Sequence, residues 1–158
     1  RLDVKRIQHI IPAVGMNIAS CTKGARNAEQ VAAFPGKIAV VNGELRHHET
    51  PAFGVSNHLA SVLIQAHTMN EAKTSIINLR PEINGDKVDV SGIKKVCDQL
   101  GYSFASCKKG KLVGSHAKLD IILDEGGYGW EPSLYVLAHN PLELIDRTHQ
   151  IAAELGGV

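Results

Sequence analysis

Residues 53–58 join a glycine-containing loop to the start of a helical pattern. Unpaired backbone N–H groups and the helix dipole make such a junction suitable for binding an anion. His58 falls in the first turn, where its imidazole could donate to a phosphate oxygen or transfer a proton near neutral pH. Gly54, Ser56 and Asn57 are candidate binding residues of the same loop, and Ser56 or Asn57 could also cap the helix. A capped helix with a surface histidine explains the pattern equally well.

A second candidate is the turn Phe34-Pro35-Gly36-Lys37, which separates two apolar runs. The turn would project Lys37 from a constrained backbone at the end of a strand, where ligand sites of α/β proteins are common. Lys37 could pair with a diphosphate, with Phe34, Pro35 and Gly36 beside it. On its own, a solvent-exposed turn lysine is the commoner explanation.

An acidic segment rich in glycine, residues 124–132, directly follows an apolar run. Gly126 and Gly127 favour a binding loop, because glycine permits close approach of the backbone to a ligand. Asp124 and Glu125 could hold Mg²⁺, which takes carboxylate oxygens alongside substrate phosphates. We therefore predict Mg²⁺ as a candidate cofactor.

The same loop carries two aromatic residues, Tyr128 and Trp130, followed by Glu131. Either ring could stack on a planar heteroaromatic ligand, as aromatic side chains do in small-molecule pockets. Glu131 is a further candidate binding residue. The alternative is a turn with incidental acids.

Five more candidate residues lie at the predicted strand ends. Gly15, Met16 and Asn17 enter the first strand, and Asn78 and Arg80 close the strand that follows the first long helix. Because a proline follows it, Arg80 should stand on an extended backbone and offer two parallel N–H donors to a phosphate. A surface arginine is an equally good explanation for that residue.

The histidines and cysteines give no metal-binding pattern. His47 and His48 are adjacent, so on a strand their side chains would point to opposite faces, and we interpret them as loop surface. Cys21, Cys97 and Cys107 lack the C-x-x-C spacing of a zinc or redox site and are expected to be free thiols in a reducing cytosol.

The elements that position these residues alternate between apolar β-prone runs and helical patterns. The sequence predicts strands over residues 17–21, 31–34, 38–41, 75–79, 103–107, 119–123 and 134–138, with a tight hairpin turn at Asn42-Gly43. It predicts helices over residues 56–69 and 90–100 and from Asn140-Pro141 to the glycines 156–157. This order predicts a three-layer α/β/α fold with a mixed sheet.

The composition is that of one globular domain. Of 158 residues 44% are hydrophobic and 21% charged, and the formal net charge is +1. So balanced a charge gives no general attraction for nucleic acid or an anionic membrane. Without an apolar stretch of roughly 18 to 20 residues, a soluble, cytoplasmic protein is expected, with no membrane partner.

Taken in order, several segments resemble the archaeal thiamine-phosphate synthase ThiN family. They are IPAVGMNI (11–18), VAAFPGKI (31–38), FGVSNHLA (53–60), GGYGWEP (126–132) and NP (140–141). The resemblance implies a fold like that of the class II aldolases and a single ThiN-like domain over residues 1–158, expected to be the C-terminal part of a larger protein. In that family such domains occur fused to a hydroxymethylpyrimidine kinase, alone, or behind a helix-turn-helix domain.

The resemblance also implies a reaction, in which hydroxymethylpyrimidine diphosphate and a thiazole phosphate give thiamine phosphate and diphosphate. Family basic and histidine positions fall on Lys37 and His58, which become the candidate catalytic residues. The implied partners are phosphorylated pyrimidine, thiazole or thiamine ligands, and a homodimer is a further expectation.

Three departures favour an alternative, a thiamine-phosphate-sensing domain of a transcriptional regulator that lacks catalysis. The chain has Lys37 where the family's enzymes carry arginine, and lysine lacks the planar pair of donors. An N-terminal helix expected before the first strand is missing from the sequence pattern. The segment between Lys111 and Leu119 is also shorter than expected.

Overall fold

The computed structural model describes residues 1–156, and for residue 84 only the backbone. Its helices are α1 (Val4–Ile7), α2 (His58–Met69), α3 (Val90–Leu100) and α4 (Pro141–Glu154). Its strands are β1 (Ile18–Cys21), β2 (Val31–Ala33), β3 (Ile38–Val41), β4 (Glu44–His47), β5 (Ala52–Phe53), β6 (Ser75–Leu79), β7 (Ile83–Asn84), β8 (Lys87–Val88), β9 (Phe104–Lys108), β10 (Lys111–Leu112), β11 (Ile121–Asp124) and β12 (Ser133–Ala138).

One large mixed sheet organises the described part of the chain. It has eight strands in the order β10-β9-β11-β12-β6-β1-β2-β5. β9 and β11 run parallel, and every other neighbouring pair in this sheet is antiparallel. The predicted mixed α/β fold is therefore confirmed.

Both faces of the sheet are covered, because successive side chains of its central strands point to opposite sides. On β6, Ile76 packs into one apolar cluster with α2, while Ile77 packs into the other with α3 and α4. β12 alternates in the same way, with Leu137 on the α2 side and Val136 on the opposite side. The arrangement is three-layered, as predicted.

The N-terminal segment corrects one expectation. A short helix, α1, and the 3₁₀ turn Gln8–Ile10 precede β1, so a helical segment is present where the sequence pattern showed none. Ile7 and Ile10 are buried in the core cluster beneath α4. The sequence pattern did not show this helix because its four residues are too few to show helical periodicity.

Two tight hairpin turns each place a non-glycine residue at positive φ. The predicted turn at Asn42-Gly43 joins β3 to β4, and both residues have positive φ, 52° and 77°. A similar turn at Lys109-Gly110 joins β9 to β10, with φ of 47° and 81°. His47 lies at the end of β4 rather than in a loop, and its ring centroid is 5.0 Å from that of Phe34.

Buried ion pairs stabilise the end of the sheet at which β6 begins. The Asp120 carboxylate accepts from Lys73 Nζ at 2.8 Å and from Arg147 Nη1 at 2.7 Å. Burial alone would raise the pKa of Asp120, but hydrogen bonds from Lys73, the Ser103 backbone and Arg147 hold that pKa well below its usual range. The carboxylate therefore stays ionised and fixes this end, leaving the other end for the site described next. Within residues 1–156, no helix is long and apolar enough to cross a membrane.

Candidate active site

The candidate residues converge on the opposite end of the sheet. Antiparallel pairing brings the end of β6 beside the starts of β1 and β12, with Ile18 opposite Ile77 and Tyr135 opposite Asn78. The parallel strands β9 and β11 both end at the same edge, where Asp124 pairs with Ser133. The loops leaving this edge and the start of α2 surround a cleft.

The cleft consists of two adjoining cavities of about 230 and 310 Å³. The side chains shared by both cavities are Lys37, His58, Asn78, Ser133 and Tyr135. One cation, one imidazole and three hydrogen-bonding groups from four separate segments thus line one space. The two residues proposed for catalysis from the sequence lie in the same cleft.

The turn that carries Lys37 has an unusual backbone. Lys37 is exposed and has φ of 68°, the left-handed region in which a non-glycine residue is destabilised by roughly 1–2 kcal/mol. Its N–H donates to Phe34 O at 3.2 Å, and the next residue, Ile38, exchanges two backbone hydrogen bonds with Met16. These bonds hold Lys37 in a strained conformation, a feature that concentrates at functional sites.

A buried asparagine fixes that turn to the sheet. Asn17 donates from Nδ2 to Phe34 O at 2.8 Å, and its Oδ1 accepts from the Phe34 N–H at 3.0 Å. The Asn17 backbone N–H donates to Asn78 Oδ1 at 2.7 Å. Because its oxygen is engaged in this way, Asn78 presents its amide nitrogen as the donor on the cleft side.

The start of α2 supplies the other wall. Asn57 occupies the N-cap position but makes no side-chain hydrogen bond to the helix, so the predicted cap by Ser56 or Asn57 is wrong. The amide groups at the start of α2 therefore lack the partner that a capping side chain would give. His58 and Leu59 line the cavity at this point, so the positive end of the helix dipole faces the cleft.

Trp130 closes the cleft on the side of the acidic loop. Its indole meets the His58 ring edge-to-face, with centroids 4.8 Å apart and an interplanar angle of 82°. Its Nε1 donates to Asp124 Oδ2 at 3.0 Å. Asp124 is 1% exposed and also accepts from the Gly110 and Gly126 backbone N–H groups, each at 2.9 Å.

The structure separates the sequence candidates into two groups. The candidates that line the cleft are Asn17, Phe34, Gly36, Lys37, Ser56, Asn57, His58, Asn78, Trp130 and Glu131. The candidates that lie outside its lining are Gly15, Met16, Pro35, Gly54, Arg80, Asp124, Glu125, Gly126, Gly127 and Tyr128.

Three members of the second group have clear surroundings. Met16 is fully buried in the core. Arg80 is exposed, and its backbone N–H donates to Ile10 O at 2.7 Å. Tyr128 stands at the tip of the loop in solvent. Ligand contacts by this group stay predictions.

The cleft also contains residues that were not candidates from the sequence, namely Pro12, Val14, Val55, Leu59, Gly129, Pro132, Ser133 and Tyr135. Burial raises the pKa of Tyr135 to about 12, so its hydroxyl remains a hydrogen-bond donor at neutral pH. Ser133 and Tyr135 share one face of β12 because they are two residues apart. That alternation, directly after the glycine-rich loop, was the signal available.

The family follows from a comparison with known proteins. A family model described as thiamine-phosphate synthase ThiN matches residues 2–150. The chain belongs to the ThiN family. The recognised segments and the structural cleft therefore lie within one family domain.

Two named relatives belong to the thiamine pathway. A bifunctional thiamine biosynthesis protein ThiDN of Methanocaldococcus jannaschii is 26% identical over 161 residues, a match covering 90% of this chain and 36% of that protein. A thiamine-phosphate synthase ThiN of Methanothermobacter thermautotrophicus is 23% identical over 157 residues, covering 87% of this chain and 78% of that protein. The chain thus spans about a third of the first relative's length.

Solved structures support the fold. The C-terminal domain of protein MJ0236 superposes with a TM-score of 0.71 at 25% identity, covering 91% of this chain and 83% of that one. The C-terminal domain of a phosphomethylpyrimidine kinase gives a TM-score of 0.73 at 21% identity, covering 90% and 88%. The fold is therefore that of ThiN-like domains, while the class II aldolase likeness stays a prediction.

Proposed function

We propose that this ThiN domain joins hydroxymethylpyrimidine diphosphate to a thiazole phosphate and releases diphosphate. The observation that supports the proposal is the cleft in which Lys37, His58 and the free amide end of α2 face one space. Positive groups from two elements are what a departing diphosphate requires. Membership of the ThiN family and this geometry both support the proposed reaction.

In the proposed step the thiazole nitrogen attacks the pyrimidine methylene carbon. The N–C bond forms as the C–O bond to diphosphate breaks, and the leaving diphosphate keeps the electron pair. Lys37, the helix dipole and a donated His58 N–H would stabilise the charge that builds on the leaving oxygen. No proton needs to move, so holding the two reactants in line would supply much of the rate.

The rest of the cleft suits flat, polar rings. Asn78 presents its amide nitrogen, and Ser133 and Tyr135 present hydroxyls, so ring nitrogens and phosphate oxygens would find donors. Phe34 supplies aromatic surface in one of the two adjoining cavities and Trp130 in the other. A few placed polar groups on an apolar wall are typical of small-molecule sites.

The predicted Mg²⁺ site does not fit the surroundings of Asp124. Both of its carboxylate oxygens already accept N–H groups, from Gly110, Gly126 and Trp130. No cluster of three or more metal-binding side chains occurs within residues 1–156. The proposed step therefore relies on Lys37, His58 and the start of α2, and the Mg²⁺ requirement stays a prediction.

The test is the formation of thiamine phosphate and diphosphate from the two substrates. The protein should make both products, and Lys37→Ala should reduce turnover by about a hundredfold, as losing a charge-assisted contact in the transition state does. Lys109→Ala is the matched control, because Lys109 is also an exposed lysine at positive φ but lies outside the cleft. An inactive wild-type protein, or equal losses in both variants, would refute the synthase.

A second candidate function is a domain that senses thiamine phosphate without making it. The family resemblance implies an arginine where this chain has Lys37, and a lysine cannot give two parallel hydrogen bonds to a diphosphate. For a sensor, calorimetry would show tight binding of thiamine phosphate while neither the wild type nor Lys37→Arg releases diphosphate. Turnover by the wild type would exclude this candidate.

A further inference from the structure

We propose that Asp124 is a positioning residue, which sets the orientation of the His58 imidazole through the indole of Trp130. The inference rests on the proposed function only where it concerns catalysis. The structural part concerns the arrangement of three side chains from β11, the glycine-rich loop and α2.

Asp124 has the surroundings of an organising group rather than of a ligand-binding one. It is 1% exposed, and its Oδ2 accepts from the Gly110 N–H and Trp130 Nε1 while its Oδ1 accepts from the Gly126 N–H. These donors come from two different loops, the β9–β10 turn and the loop after β11. A buried carboxylate that accepts several N–H groups is held firmly, and it holds its donors in turn.

The indole of Trp130 is fixed from several directions. Its N–H is bound by Asp124, and its backbone exchanges two hydrogen bonds with Gly127, at 2.9 and 3.0 Å. A Cβ added to Gly110 would lie only 3.3 Å from its Cζ2 atom, so that side of the ring is closely packed. Rotation of the ring would break the bond to Asp124.

The His58 ring depends on that indole for its orientation. His58 is exposed in the first turn of α2, and the described residues offer its ring no hydrogen-bond partner. The His58 ring packs edge-to-face against the Trp130 indole, with 4.8 Å between the ring centroids. A shift of the indole would therefore let the imidazole turn away from the leaving group.

Fluorescence tests the structural part without any substrate, because Trp130 is the single tryptophan of the chain. Since the His58 ring lies against the indole, with centroids 4.8 Å apart, His58→Gln should change the emission of Trp130 at one fixed pH. In an Asp124→Asn background, where the ring is no longer held, His58→Gln should change the emission by less than about half as much. In an Asp98→Asn background, the same substitution on the exposed face of α3, His58→Gln should change the emission by the full amount.

Kinetics test the catalytic part. A displacement of about 1 Å can lower a rate roughly a hundredfold, so Asp124→Asn should reduce kcat by about tenfold or more with KM nearly unchanged. Trp130→Phe, which keeps an aromatic ring but loses the N–H, should produce a similar loss. If Asp124 acts through Trp130, the double variant should be no worse than the worse single variant.

The outcomes separate this inference from the proposed synthase. A wild type that makes no thiamine phosphate refutes the synthase alone, and the fluorescence comparison still decides whether Asp124 orients the ring. If His58→Gln changes the emission equally in the wild type and in folded Asp124→Asn, or if the losses of kcat are additive in the double variant, the inference is overturned. Should Asp124→Asn fail to fold, the NMR shift of the His58 ring protons in Trp130→Phe decides, because an unchanged shift would refute the contact.

Discussion

Replacing Lys37 by glycine should make the protein more stable and less able to bind its ligand. Lys37 has φ of 68°, which destabilises a non-glycine residue by roughly 1–2 kcal/mol, whereas glycine adopts it freely. Glycine gains about 0.5–1 kcal/mol of extra chain entropy in the unfolded state, which offsets part of the benefit. Because the side chain is exposed, little buried area is lost, and we expect a net gain of about 0.5–1 kcal/mol in the free energy of unfolding.

Urea unfolding followed by circular dichroism measures that gain, and for a chain of this size the melting temperature should rise by roughly 1–4 °C. Lys109→Gly is the matched variant, since Lys109 has φ of 47° and is also exposed. Both variants should be stabilised, but only Lys37→Gly should weaken binding of inorganic diphosphate by calorimetry. A destabilised Lys37→Gly beside a stabilised Lys109→Gly would refute the reasoning, because it would show that the side chain itself supports the turn.

Three further predictions follow from the site and the core. Lys37→Arg should raise turnover about tenfold if the domain is a synthase, since a second parallel donor reaches the diphosphate, and an unchanged rate would contradict this. Gly126→Ala should lower the free energy of unfolding by about 2–4 kcal/mol, because φ is +77° and the new Cβ would lie 2.6 Å from Trp130 O; neutral urea curves would contradict it. Burial lowers the pKa of His149 from its ordinary 6.5, and its neutral Nε2 accepts from the Asp3 N–H. The contribution of His149 to the free energy of unfolding is therefore full above pH 6.5 and is lost as the pH falls through the lower folded-state pKa. Unfolding curves between pH 8 and 5 should show that loss in the wild type but not in His149→Gln.

The sequence predicted well those strands of the large sheet that are buried on both faces, because such strands are continuous apolar runs. The runs at 75–79 and 134–138 correspond to β6 and β12 within one residue, since both strands are covered on both faces. The short strands β5, β7, β8 and β10 were missed because two residues carry no periodicity. The predicted helix over residues 90–100 corresponds to α3, and Asp89 caps it by accepting from the Gly92 N–H.

The sequence predicted those site residues that stand beside a recognisable local turn, and it missed those that reach the cleft through strand pairing. Lys37 and His58 stand beside glycine-containing turns, a signal visible in a short window, and the structure brings both into one cleft. Tyr135 reaches the same cleft only because β12 pairs with β6, and no local pattern announces that pairing. Asp124 looked like a metal ligand because a sequence does not show that its carboxylate oxygens already accept hydrogen bonds from Gly110, Gly126 and Trp130.

The place of β12 in the sheet bears on how the protein folds. β12 lies between β11 and β6 and so joins the strands β10-β9-β11 to the strands β6-β1-β2-β5. Of the described strands it is the last to leave the ribosome, and among the described elements only α4 follows it. Until it emerges, the two halves of the sheet have no common partner, and Lys37 and Asn78 cannot meet Ser133 and Tyr135. The nascent chain should therefore remain unable to bind its ligand until β12 has emerged, and folding should be slow because the decisive contacts are distant in sequence.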